Sequence, residues 1–179
     1  MPKSTDRQLI TVLWALPAAP ERAKLCALVA KFARQFAGPV FEPHLTLGLG
    51  KPEALSCVHQ KPFRLLVAGI DSTEQFTKPL FLRLGMSPDL VAVRTALGLS
   101  ATDEYDPHLS LLYREMPAAR KADFVRQAPP PLETVLFDRL AAVSCPDPTS
   151  SSADVESWKI LATCRLSPPR KIFRVIRRP

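Results

Sequence analysis

Phe41-Glu42-Pro43-His44-Leu45-Thr46-Leu47 recurs as Tyr105-Asp106-Pro107-His108-Leu109-Ser110-Leu111. Each position matches in kind: aromatic, carboxylate, proline, histidine, leucine, hydroxyl, leucine. The chain holds three histidines, and two of them fill the same slot of this repeat. Side chains alternate across a strand. Read as strands, the two copies put His44, Thr46 and Gly48 on one face and Leu45, Leu47 and Leu49 on the other; His108, Ser110 and Leu112 alternate with Leu109 and Leu111 in the same way. The leucine faces are expected to pack on helices. The histidine faces are expected to look into a cleft, where Gly48 removes bulk in the path of a ligand. Pro43 and Pro107 stand at the strand starts, where a missing N–H does little harm.

Working outward, residues 9–16 read as a mostly buried strand ended by Pro17. Pro20 and Glu21 open a helix whose Leu25, Leu28, Val29, Phe32 and Phe36 fall at helical spacing, stopped by Gly38-Pro39. Residues 63–71 and 80–86 read as neighbouring strands. Ser87-Pro88-Asp89 starts a second helix, with Ser87 as cap and Leu90, Val93 and Leu97 as its apolar face, ended by Gly98. A helix is predicted over 117–127, a long strand over 133–145, a loop over 146–154 and a last strand over 155–166. A strand–helix–strand unit thus leads into each copy of the motif. The pattern predicts an α+β fold of two lobes, with two mainly antiparallel sheets facing a central cleft and helices outside. Residues 1–168 are expected to be one bilobal domain and 169–179 a basic tail.

The chemistry follows from the pair. Opening a cyclic phosphodiester with water needs a base for the water, an acid for the departing ring oxygen on the far side of phosphorus, and donors for the non-bridging oxygens. Histidine titrates near neutrality, so one imidazole can be neutral while its partner is charged. Thr46 and Ser110 can each donate a hydrogen bond to a phosphate oxygen. One such motif is weak evidence, since most are half-buried sheet positions; two in matched contexts make His44 and His108 a paired catalytic site. His59 has no such partner and reads as a surface loop residue. Glu42 and Asp106 read as solvated turn residues or as tuners of the imidazoles.

Other classes fit less well. There is no G-x-S-x-G, Walker loop or H-E-x-x-H, and Cys26, Cys57, Cys145 and Cys164 make no C-x-x-C spacing. No metal and no cofactor is expected, and the cysteines are expected as free thiols of a reducing compartment. No apolar run approaches the ~20 residues of a membrane helix, and the N-terminus lacks a secretion signal, so a cytoplasmic protein is expected. The net charge is +7, yet Arg165, Arg170, Lys171, Arg174, Arg177 and Arg178 lie in the last fifteen residues; the rest holds 18 basic against 17 acidic residues. The tail reads as a solvated end or a weak RNA contact.

The paired His44-Leu45-Thr46 and His108-Leu109-Ser110 resemble the signature of the 2H phosphoesterase superfamily. Trp14-Ala15-Leu16-Pro17, Gly38-Pro39-x-Phe41-x-Pro43-His44, Pro107-His108 through Tyr113, and Trp158 with Ala162-Thr163-Cys164 resemble, more closely, the plant and yeast cyclic phosphodiesterases over about residues 9–166. The resemblance implies a bilobal, metal-independent hydrolase. Its substrates would be ADP-ribose 1″,2″-cyclic phosphate, which arises in tRNA splicing, and nucleoside 2′,3′-cyclic phosphates. It makes His44 and His108 the acid–base pair, with His108 as base and His44 as acid, although the two motifs are nearly interchangeable. It also gives phosphate binding to Thr46 and Ser110, and contacts with sugar or base to Trp14 and Tyr113. Strict alternation puts Tyr113 opposite His108, so that role requires the strand to bend or end near Leu112. A monomer acting on a small cyclic nucleotide is expected. The rivals are a related enzyme of the bacterial 2′-5′ RNA ligase-like branch acting on RNA ends, and a module that binds a phosphorylated ligand without turnover.

Overall fold

The computed structural model describes residues 8–100, 105–115, 119, 121 and 130–167. The described elements run β1 (Gln8–Pro17), α1 (Ala19–Phe36), β2 (Leu45–Leu49), a 3₁₀ turn (Pro52–Cys57), β3 (Phe63–Asp71), β4 (Leu80–Leu84), α2 (Pro88–Ala96), β5 (His108–Leu112), β6 (Thr134–Asp147), α3 (Ser152–Glu156) and β7 (Lys159–Arg165). Every pairing among them is antiparallel, as expected. The two expected sheets are halves of one hydrogen-bonded sheet. Its order β1-β2-β5-β4-β3-β6-β7 closes on itself because β1 also pairs with β6. The long β6 makes one junction: Phe137 is opposite both Phe63 of β3 and Pro17 of β1. The other junction is a single pair, Leu45 opposite Leu109, which joins the two motif strands.

One contiguous core runs through both halves. Leu13 and Ala15 of β1, Leu45 of β2, Leu109 of β5 and Leu140 and Ala142 of β6 meet Leu25 and Phe32 of α1 and Leu90 and Val93 of α2. The alternate residues of β1 and β6 are buried too: Val12, Trp14, Leu16, Ala141, Val143 and Cys145 form a second cluster on the other face. Both faces are covered, which is why these strands read as continuous apolar runs instead of alternating ones.

Two expected details change. Gly48 makes room for the protein: a Cβ there would lie 3.0 Å from the Leu99 side chain, and its φ of +151° suits glycine. Register slips between Leu13 and Trp14, so alternation breaks beyond Thr46, and Leu49 ends 63% exposed instead of packed. The predicted loop 146–154 holds the start of α3, and the last strand begins at Lys159, not 155. Ser151 caps α3 by accepting from Asp154 N at 3.2 Å, while Asp154 Oδ2 accepts from Ser150 N at 2.9 Å; a serine run that reads as loop is here a capped turn of helix. Of the predicted helix 117–127, Ala119 and Lys121 are described and helical; its other residues and the tail 169–179 lie outside the described residues. His59 is exposed and in a loop, as expected.

Candidate active site

The Leu45–Leu109 pair sets the site. Both leucines are fully buried, so the neighbours on each side point the other way. Continuing the antiparallel register sets Thr46 across from His108 and His44 across from Ser110, an arrangement close to two-fold about the bridge. The histidine face opens on a cavity of about 280 Å³ lined by both imidazoles, Thr46, Trp14, Tyr113 and Trp158. A second cavity of about 570 Å³ adjoins it and shares Thr46, Gln75, Lys78 and His108 with it.

Each imidazole is fixed in the same way. His44 Nδ1 lies 2.7 Å from the Glu42 carbonyl oxygen, and His108 Nδ1 lies 2.8 Å from the Asp106 carbonyl oxygen. A carbonyl only accepts, so Nδ1 carries the proton and Nε2 is left for chemistry. The residues before the two prolines orient the histidines through their backbones, not through their carboxylates. The carboxylates turn away: Glu42 takes both Nε and Nη2 of Arg22, and Asp106 takes Lys78 Nζ at 2.5 Å and Arg83 Nη1 at 3.0 Å. These cations, led by Lys78, hold the Asp106 carboxyl below the usual carboxylate range.

The imidazoles differ in surroundings. His44 is 5% exposed and stacks on Trp14 with ring centroids 3.6 Å apart. Burial, with a smaller contribution from the nearby His108, lowers its pKa to about 4. The Tyr113 hydroxyl lies 3.4 Å from His44 Nε2, and burial raises the Tyr113 pKa, so the phenol stays a donor. His108 is less enclosed. Burial again lowers its pKa, with smaller contributions from Lys78 and Arg83 in the same direction and opposing ones from the Asp106 backbone and carboxylate.

Five of the six expected site residues line this cleft, with different postures, and Ser110 stands behind it. Thr46 faces it. Ser110 is 4% exposed, and its hydroxyl donates to the Thr77 carbonyl at 2.8 Å. Trp14 is 4% exposed and gives its face to His44. Tyr113 reaches the cleft because β5 ends at Leu112, the condition its substrate role required. Sequence reasoning missed Lys78 and Gln75, which sit in the β3–β4 connection without any local pattern to mark them. Trp158 was read as part of the last strand. It lies just before that strand, with its edge toward Trp14 at 5.2 Å and His44 at 5.7 Å. Among the described residues, no three His, Cys, Asp or Glu side chains form a group that could hold a metal ion. No described helix is long and apolar enough to cross a membrane.

No protein-family model matches the sequence. A curated relative, the cyclic phosphodiesterase of Arabidopsis thaliana, is 26% identical over 172 residues, covering 87% of this chain and 94% of the relative. Among solved structures, Escherichia coli LigT superposes with a TM-score of 0.56 at 18% identity, over 90% of this chain and 99% of that one. Its complex with 3′-AMP gives 0.54 at 19%, over 90% and 98%. TT0787 of Thermus thermophilus gives 0.54 at 19%, over 89% and 99%. These structures share the fold, and the relative shares nearly the whole length. With two His-x-Thr/Ser strands paired at one bridge and turned onto one cleft, the chain is similar to the 2H phosphoesterases in motif and in fold.

Proposed function

We propose that the chain hydrolyses cyclic phosphodiesters of small nucleotides without a metal, using His44 and His108 as acid and base. The observation that carries this reading is the matched fixing of both Nδ1 atoms by backbone carbonyls, which leaves two Nε2 atoms for one cleft. In the forward reaction one imidazole takes a proton from water as its oxygen attacks phosphorus. The other gives a proton to the ring oxygen as the P–O bond breaks, and a phosphomonoester leaves. The Thr46 hydroxyl holds a non-bridging oxygen. The resemblance makes His108 the base and His44 the acid. That order requires His44 to gain its proton together with the anionic substrate, since burial holds it neutral beforehand.

The aromatic walls support a nucleotide. Trp158 and Tyr113 offer rings at the cleft, and stacking on a base is typically worth about 1–3 kcal/mol. The resemblance to the plant and yeast cyclic phosphodiesterases makes ADP-ribose 1″,2″-cyclic phosphate and nucleoside 2′,3′-cyclic phosphates the first substrates to try.

The test is turnover of those two substrate types with EDTA present, for wild type beside His44→Ala and His108→Ala, with product regiochemistry read by phosphorus NMR. Each variant is expected to lose roughly 10²–10⁴ in rate. No turnover by folded wild-type protein would remove the proposal and leave a longer RNA end or a bound, unreacted phosphate ligand as the role.

A further inference from the structure

The aromatic slot of the repeat is filled in two ways. Phe41 lies flat against Tyr113, with ring centroids 4.2 Å apart. Tyr105 carries a hydroxyl that Phe41 lacks, and it donates to the Thr46 carbonyl at 2.7 Å. That bond runs from the second motif to the first. Burial raises the Tyr105 pKa, against a smaller pull from Arg94, so the phenol stays a donor. The guanidinium of Arg94, on α2, lies over the same ring with its carbon 3.7 Å from the centroid. Arg94 is 5% exposed; its Nη1 donates to the Leu47 carbonyl and its Nη2 to the Ser100 carbonyl at 2.8 Å.

These contacts fall where the sheet is thinnest. The two motif strands share one ladder pair, Leu45 with Leu109. Beyond it they part: Thr46 goes to Trp14 of β1, and His108 goes to Arg83 of β4. The cavity of about 570 Å³ opens in this fork, with Thr46 through Leu49 on one side and Tyr105, Asp106 and His108 on the other. The first strand also bulges there. Its register with β1 passes from the Thr46–Trp14 pair to the Gly48–Leu13 pair and skips Leu47, and the extra residue of a bulge is left out of the ladder. Two successive carbonyls of β2 are thus held from outside it, Thr46 by Tyr105 across the fork and Leu47 by Arg94 from α2.

We infer that Arg94 and Tyr105 are positioning residues: together they clamp the Thr46 and Leu47 carbonyls to the segment that leads into His108, and so hold the Thr46 hydroxyl and the His108 imidazole at the spacing that one phosphate must bridge. This rests on the phosphoester reading of the cleft. One ladder pair fixes register but leaves the fork free to open, and a second contact off the ladder fixes its width. The planar guanidinium suits the task, since it stacks on a ring and donates along fixed directions at once. A misplacement of about 1 Å at a reacting centre can cost ~10²-fold in rate.

The test pairs a ligand-free measurement with turnover, both on the full chain. Tyr105→Phe keeps the ring against the guanidinium and removes one oxygen. By NMR relaxation dispersion it is expected to show exchange on the μs–ms scale at the amides of Thr46, Leu47 and His108, where wild type shows none. Its kcat for a 2′,3′-cyclic nucleotide is expected to fall about 10- to 100-fold at nearly constant KM. Arg94→Lys, which keeps the charge and loses the flat stack and the fork of donors, is expected to fall at least as far. Val93→Ala trims the core on the same helix without touching either carbonyl, and is expected to lose stability and keep kcat. An unchanged kcat in Tyr105→Phe, a loss confined to KM, or an equal fall in Val93→Ala would overturn the inference. Should neither Tyr105→Phe nor Arg94→Lys fold, the Tyr105 hydroxyl proton of wild type decides: slow exchange with water supports the clamp, and fast exchange overturns it. If wild type turns over no cyclic phosphate, the proposed reaction falls, and the dispersion measurement still decides the clamp.

Discussion

The stack of His44 on Trp14 aligns the imidazole and at the same time opposes its protonation. An ordinary histidine titrates near 6.5, and burial brings His44 to about 4. In the unfolded chain the ordinary value returns, so between those two values the unfolded state binds the extra proton. Stability from this group is therefore fully present above roughly pH 6.5 and is lost as pH falls toward 4, by about 3 kcal/mol in all. Urea unfolding at steps from pH 7 down to 4 measures it. His44→Gln is expected to show a shallower fall than wild type by about 2–3 kcal/mol; parallel curves would contradict the depressed pKa. At this scale the sequence marked residues that the fold brings together and not how they are held. The repeat marked Glu42 and Asp106, yet nothing in a sequence distinguishes a backbone carbonyl that orients His from a carboxylate that does. The direction of the Ser110 proton and the face of Trp14 were equally illegible, because both depend on residues 33 and 30 positions away in the chain.

Elements were legible where period and punctuation agreed. The predicted strand 63–71 coincides with β3, and the Ser87 cap accepts from Leu90 N at 3.1 Å. They were illegible where a tertiary contact decides the backbone, as at the β1–β2 seam. There Gly50 donates from its N–H to the Thr11 carbonyl at 3.1 Å, and a Cβ on it would run into Leu13 Cδ1 and lie 2.9 Å from Cγ. Leu13 is fully buried in the core, so its shift would disturb packed neighbours. Gly50→Ala is expected to destabilise by about 1–3 kcal/mol through overpacking, read as a shift of the urea midpoint at unchanged slope. Gly69→Ala is a useful contrast, since no atom lies within 4 Å of the added carbon and only its φ of +154° opposes the change. The α3 cap links an element to the cleft. Ser151→Ala removes an N-cap worth about 1 kcal/mol just upstream of Trp158. Its expected signature is a weaker base contact, seen as a rise in KM for a cyclic nucleotide with kcat nearly kept. A fall in kcat at constant KM would show that Trp158 is not what α3 positions.

Closure of the sheet makes the two motifs one machine. Each half of the molecule holds one imidazole in the same way, and the single Leu45–Leu109 pair sets their mutual register. That symmetry was readable from the repeat, but closure through β6 was not, because one long strand shared between two partners has no sequence mark. Its electrostatic consequence belongs to the whole site: both imidazoles are held below their ordinary pKa, chiefly by burial, which favours the neutral form of each. In the proposed reaction the acid therefore arrives as a proton taken up with the anion. An oxyanion between the imidazoles raises both pKa values, and once one is charged it opposes the second, so uptake should stop near one proton. Calorimetric titration with sulfate, which does not itself titrate near neutrality, in buffers of different ionisation enthalpy counts these protons. Wild type is expected to take up close to one at about pH 6–7, and His44→Gln clearly fewer if His44 is the acid. Turnover should then follow a bell in pH, with its acid limb from the base and its alkaline limb from the acid of the bound complex. Zero proton uptake, or a rate with a single limb across neutrality, would mean that the two histidines do not divide the acid and base roles.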